Sequence, residues 1–146
     1  MPRYFTLREA ESLIPEVKGC LESAISAKAR IGAIDGEMQE LTSRIYMLGG
    51  IEVNPDHVAR RNLERVSLVK SVEESVKRIQ RCGCLVKDLD KGLLDFPALL
   101  NGVEVYLCWK LGETKIEWWH STQEGYSGRR RIMDELGFEE PGLRPN

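Results

Sequence analysis

Nowhere in the 146 residues do the roughly 18 consecutive apolar side chains that a membrane-spanning helix requires occur together. The opening segment, Met1-Pro2-Arg3-Tyr4-Phe5-Thr6-Leu7-Arg8-Glu9, also lacks the apolar stretch of a secretory signal. A cytoplasmic protein with no membrane partner is the expectation. Charge of one sign is missing too: 21 Lys and Arg against 23 Asp and Glu leave a formal charge of -2, with no global positive field to attract a phosphate backbone. Cysteine is sparse, at Cys20, Cys82, Cys84 and Cys108, and a reducing compartment keeps these as thiols, which excludes a disulfide-stapled scaffold. Histidine is scarcer, at His57 and His120 only. No segment carries a specific catalytic or cofactor signature, so no cofactor is assigned.

What is present suits one domain spanning residues 1–146, because 42% hydrophobic and 30% charged residues at this length can bury one core but not two. Residues 6–83 read as a helical hairpin. Thr6 and Glu9 have the spacing of a capping box that opens the first helix. Pro15 then removes a backbone donor and crowds the carbonyl of Glu11, so a kink or short break is expected there. Apolar residues recur at Ile14, Val17, Leu21 and Ala24, and again at Ile31, Ile34, Met38, Leu41, Ile45 and Leu48, in the three-and-four spacing of a packed seam. Gly32 and Gly36 mark either close helix contact or weak helix. Gly49-Gly50 ends the helix, and Asn54-Pro55-Asp56 starts a second, antiparallel one with Asn54 as its cap. That helix continues through Leu63, Val66, Val69, Val72, Val76 and Ile79, with Glu73–Lys77 and Glu74–Arg78 as outer-face pairs, and stops at Gly83.

From Cys84 the period changes from helical to two, and residues 84–121 read as an antiparallel β-meander of three to four strands, at 85–89, 92–96, 103–111 and 115–121. The fold class is therefore α+β. Val103, Val105, Leu107, Trp109 and Leu111 alternate onto one face of the third strand, leaving Glu104, Tyr106, Cys108 and Lys110 on the other. With a two-residue turn at Gly112-Glu113, Ile116, Trp118 and His120 fall on the apolar face, and Cys108 falls across the sheet from His120. Residues 122–146 form a Gly-rich and charged C-terminal segment with one short helix near 131–136 and a mobile end.

Several segments are familiar as a set. They are Arg3-Tyr4-Phe5-Thr6 with Glu9-Ala10 and Ile14-Pro15, then Lys87-Asp88-Leu89 with Gly92-Leu93-Leu94-Asp95-Phe96-Pro97-Ala98. Val105 to Glu113 follows, and then Trp119-His120 with Gly125-Tyr126 and Gly128-Arg129. In these the chain resembles the prokaryotic domain-of-unknown-function family numbered 2203 over nearly its whole length. The resemblance implies no established activity. It implies that the meander and the segment from Trp119-His120 to Gly128-Arg129 are the family's common element, while the helices vary more. Cys82 and Cys84 match none of its motifs, and Arg129-Arg130-Arg131 is more basic than its pattern.

His120 is the first candidate site residue, since it lies beside two tryptophans and ahead of a Gly-rich segment where a ligand can approach closely. Asp95 would supply its carboxylate, Arg129 would hold an anion and His120 would exchange a proton, with Trp119 and Tyr126 completing the ligand-binding set. Asp88 and Asp90 with His120 make the alternative oxygen and nitrogen set for a divalent metal. Each also has a structural explanation: Asp90 suits a turn, Asp95 a bend before Pro97, and a strand-end histidine often bonds a backbone carbonyl. Cys82-Gly83-Cys84 lacks the second pair that makes a zinc spacing specific. Arg129-Arg130-Arg131 is the only nucleic-acid-like feature, and Asp134, Glu135, Glu139 and Glu140 oppose it.

The hairpin itself carries the leading functional expectation. At 1.5 Å per residue it is about 45 Å long and outreaches a small sheet, so part of its seam faces water in a monomer. Pairing two hairpins as a homodimer or higher homo-oligomer would cover it. A non-catalytic interaction or structural protein with an unknown protein partner is the leading reading. A small-molecule or divalent-metal-binding protein centred on His120, an enzyme included, is its rival.

Overall fold

The computed structural model describes residues 3–50 and 52–132. Helix α1, Leu7–Leu48, opens on the expected capping box, with the Glu9 amide donating to Thr6 Oγ1 at 3.1 Å and the Thr6 amide donating to Glu9 Oε1 at 2.9 Å. The helix runs through Pro15 without the expected break. It ends at Gly49, whose φ of 70° is the left-handed conformation in which glycine avoids a Cβ clash. Helix α2, Pro55–Arg81, is capped by the Asn54 side chain, which accepts from the amides of Asp56 and His57. The ion pairs Glu16–Arg78, Arg30–Glu64 and Glu37–His57 climb one helix as they descend the other, so the pair is antiparallel. Arg78 thus bonds across the hairpin instead of closing the expected pair with Glu74. A Cβ at Gly32 or Gly36 would meet nothing within 4 Å, so neither glycine marks a close helix contact.

Five antiparallel strands follow in sequence order: β1 Leu85–Asp88, β2 Leu93–Leu100, β3 Val103–Lys110, β4 Trp118–Ser121 and β5 Arg130–Arg131. β2 continues four residues past its expected end, through Pro97. Proline is tolerated there because β1 pairs only with Leu93 to Asp95, leaving β2 an edge on that side. The Pro97 carbonyl accepts instead from the Phe5 amide at 2.7 Å, and the Phe5 ring meets Phe96 edge-on at 5.5 Å. This ties the start of α1 to the sheet. β5 occupies part of the segment expected to start a helix near 131–136; residues 133–136, and the expected mobile end, lie outside the described residues.

One face of the sheet packs on the helices. Leu94, Phe96, Ala98, Val105, Leu107, Trp109 and Trp119 join Ala10, Val17, Cys20, Leu21 and Ile79 in a buried cluster that also holds Ile116. The tight turn before β2 is fixed by Gly92, whose φ of 69° and close approach to Leu111 leave no room for a side chain: a Cβ would lie 2.6 Å from Leu111 Cβ. Gly92→Ala is expected to cost about 1–3 kcal/mol through overpacking, with left-handed strain added. Chemical denaturation reads this directly, and an unchanged midpoint would mean that Leu111 moves aside freely.

Candidate functional site

The second face of the sheet carries the chemistry, and a one-residue register difference puts it there. Tyr106 pairs with His120, Leu107 with Trp119, and Cys108 with Trp118. A two-residue turn at Gly112-Glu113 would instead pair Leu107 with Trp118, and a slip of one residue moves every side chain to the opposite face. The connection from β3 to β4 is not a tight turn. It is the longer segment 111–117, which sends Ile116 into the core and is held by Glu113, whose amide donates to Lys110 O at 3.0 Å and whose Oε1 accepts from the Lys110 amide at 2.8 Å. His120 and Trp118 therefore face away from the helices, and Trp119 faces toward them. The expected separation of Cys108 from His120 is overturned, because both side chains stand on this same outer face.

Adjacent strands bring together Asp95 from β2, Cys108 from β3 and His120 from β4. Asp95 is 1% and His120 2% exposed, and Cys108 is equally enclosed. His120 Nε2 lies 3.0 Å from Asp95 Oδ1, and its Nδ1 lies 2.8 Å from the carbonyl oxygen of Ser121. A carbonyl only accepts, so Nδ1 carries a proton and donates it. Nε2 is thereby turned toward the Asp95 carboxyl. Burial pushes the Asp95 carboxyl above its ordinary range, opposed by the hydrogen bond and charge of His120. Burial, followed by the neighbouring Asp95 charge, pushes the Cys108 thiol up to about 12. Asp95 Oδ2 is enclosed and makes no hydrogen bond of normal geometry.

Arg129 lies on the same face, its guanidinium 4.7 Å from the Trp118 ring centre and 4.6 Å from that of Tyr126. Its Nη2 donates to Glu113 Oε2 at 2.5 Å, while the buried Nη1 has no partner. Trp118 and Tyr126 thus flank Arg129, while Trp119 of the expected set faces the core. Asp88 and Asp90 are not part of the arrangement: Asp88 Oδ1 accepts from the Lys91 amide at 3.0 Å, and Asp90 pairs with Lys28 at 2.7 Å. The alternative metal set of Asp88, Asp90 and His120 is not assembled. Among the described residues, Asp95, Cys108 and His120 are the one group of at least three His, Cys, Asp or Glu whose donor atoms converge, all within 4.8 Å of one another. Cys82 and Cys84 belong to no such group.

The arginine run is neutralised locally, with Arg129 on Glu113, Arg130 on Glu124 at 3.6 Å and Arg131 on Glu117 at 3.1 Å. These carboxylates, and not only the acidic residues expected further along, remove the local field that a polyanion would need. No helix among the described residues is long and apolar enough to cross a membrane.

A model of the family described as Uncharacterized conserved protein (DUF2203) matches residues 3–132. The chain belongs to this family. No curated protein and no solved structure matches it. The DUF2203 match runs from the segment before α1 to the residue after β5, and so takes in both the hairpin and the outer-face cluster. It attaches no activity to either.

Proposed function

We propose that this DUF2203 protein is a non-catalytic interaction module that self-associates through the outer half of its helical hairpin. One observation carries the reading. Beyond Ile34, α1 has no buried residue, and along all of α2 only Ile79 is buried. α1 has 42 residues, about 63 Å at 1.5 Å each, and the sheet covers only its first half. The seam expected from the sequence runs on past that cover: Met38 and Leu41 are half-buried, while Ile45, Leu48, Leu63 and Val66 are exposed, Leu63 at 71% and Val66 at 64%.

A two-helix ribbon with no enclosed core gains little from its own packing, and two further helices are what such a stripe needs. A second copy is the occupant favoured by the charges. In this half Arg30–Glu64, Arg65–Asp35 and Arg61–Glu37 close within the hairpin. What remains is an apolar stripe without a one-signed border, so it does not select an acidic or a basic partner. An identical stripe related by a two-fold axis meets these conditions.

Leu63→Glu with Val66→Glu is expected to convert a dimer into a monomer in sedimentation or native mass spectrometry without loss of helical signal, because both side chains are exposed within one chain. Met38→Glu with Leu41→Glu should do the same with some loss of stability. A wild-type protein that is monomeric at micromolar concentration would overturn the reading.

A further inference from the structure

The geometry points to a site for one divalent transition-metal ion of the zinc class, ligated by Asp95, Cys108 and His120 on the outer face of the sheet. This is independent of how the hairpin associates.

The donor set is one carboxylate oxygen, one thiolate sulfur and one imidazole nitrogen, which suits zinc and excludes the all-oxygen preferences of magnesium and calcium. Donors around a tetrahedral zinc ion, at about 2.0–2.3 Å from it, lie about 3.3–3.8 Å apart. Here the three donor atoms lie within 4.8 Å of one another, and the His120 Nε2 to Asp95 Oδ1 distance is already 3.0 Å. Small side-chain rotations close the remainder. The imidazole is also oriented as a ligand: Nδ1–H is held by the Ser121 carbonyl at 2.8 Å, which aims Nε2 inward, the outer-shell arrangement typical of metal-binding histidines.

Two further observations point the same way. Asp95 Oδ2 is buried with no hydrogen bond of regular geometry, the Cys108 thiol being the carboxyl's other neighbour besides His120, and an ion held between thiolate and carboxylate would satisfy both. The charge count also suits a divalent ion: one carboxylate and one thiolate offset its two charges and a neutral imidazole adds none, so the ligated centre is neutral in a buried site. Three protein donors leave the fourth tetrahedral position to a non-protein ligand such as water.

The test uses the full chain, stripped by a chelator and titrated with Co2+ alone under anaerobic conditions. The expected result is one Co2+ per chain, a thiolate-to-cobalt charge-transfer band, d–d absorption of four-coordinate intensity, and displacement by one equivalent of Zn2+. Cys108→Ser should abolish the charge-transfer band. Asp95→Asn, which leaves an amide able to hydrogen-bond His120 and so preserves the fold, should weaken binding by more than the roughly 10–100-fold that loss of an outer-shell partner costs. Cys82→Ser with Cys84→Ser should leave the spectrum unchanged. A folded wild-type chain that shows no saturable band overturns the proposal. So does a band that survives Cys108→Ser or disappears in the Cys82/Cys84 variant. If Cys108→Ser does not fold, the wild-type and Cys82/Cys84 spectra decide alone.

Discussion

Asp95→Ala is expected to destabilise the metal-free protein by about 1–3 kcal/mol, the cost of leaving a buried imidazole nitrogen without its hydrogen-bond partner. The His120 ring would keep its bond to the Ser121 carbonyl, but Nε2 would face a cavity with no partner, 98% removed from solvent by the 2% exposure of the residue. A double replacement behaves differently. Asp95→Val with His120→Leu removes both polar groups and leaves nothing unpaired, so it should recover most or all of the loss. Urea midpoints of the three proteins decide the matter, and a double variant no better than Asp95→Ala would mean that packing volume, not the unpaired imidazole, sets the penalty.

The same pair fixes a direction for pH. Because burial raises the Asp95 carboxyl in the folded state, its contribution to stability is fully present below the unfolded value of about 3.9 and is lost as pH rises through the folded value. Asp95→Asn cannot ionise at this position and so supplies the reference. Measured with chelator present, the wild type should lose stability relative to Asp95→Asn as pH climbs through that window. Equal slopes would mean that His120 compensates the buried charge completely.

The features most legible in the sequence were those fixed by local chemistry. Thr6 with Glu9, Gly49, Asn54 with Pro55, and Gly83 each act within a few residues of themselves, so their spacing determined both helix starts and stops. The strands were legible because alternation is local as well. The pairing across β3 and β4 is not local: it depends on whether segment 111–117 makes a two-residue turn or a longer excursion. The excursion is set by Ile116 entering a core built from distant residues and by the hydrogen bonds of Glu113. A period of two then turned that small error into a complete exchange of faces for Trp118, Trp119 and His120, hiding Cys108 from the cluster. Asp95 is legible only as a carboxylate on a strand near His120; its pairing with Cys108 follows from the tight turn at Asn101-Gly102, which is hidden when 97–102 is taken as a connection. β2 itself was read as ending too soon, because Pro97 signals a strand end unless a neighbour such as Phe5 takes over the edge.

Trp109→Ala is expected to cost about 3–5 kcal/mol, as for other large aromatic deletions from a close-packed core. Trp109 is completely buried on the helix-facing side, opposite Leu94, and its Nε1–H donates to the Glu113 carbonyl at 3.0 Å. That hydrogen bond gives the substitution a second effect on the other face of the sheet. Glu113 also accepts from the Lys110 amide and from Arg129, so one residue of segment 111–117 joins the core, the end of β3 and the arginine stacked between Trp118 and Tyr126. Losing the indole should therefore loosen Arg129 as well as open a cavity, and the near-ultraviolet circular dichroism should fall by more than the deleted chromophore explains. Trp109→Phe separates the two effects. It keeps most of the apolar volume and removes the donor, so a hydrogen-bond cost of about 0.5–1.5 kcal/mol is expected, with a smaller cavity term. If Trp109→Phe instead proves as unstable as Trp109→Ala, the anchoring of Glu113 outweighs the filling of the core, and the loop that sets the β4 register is what holds this side of the sheet together.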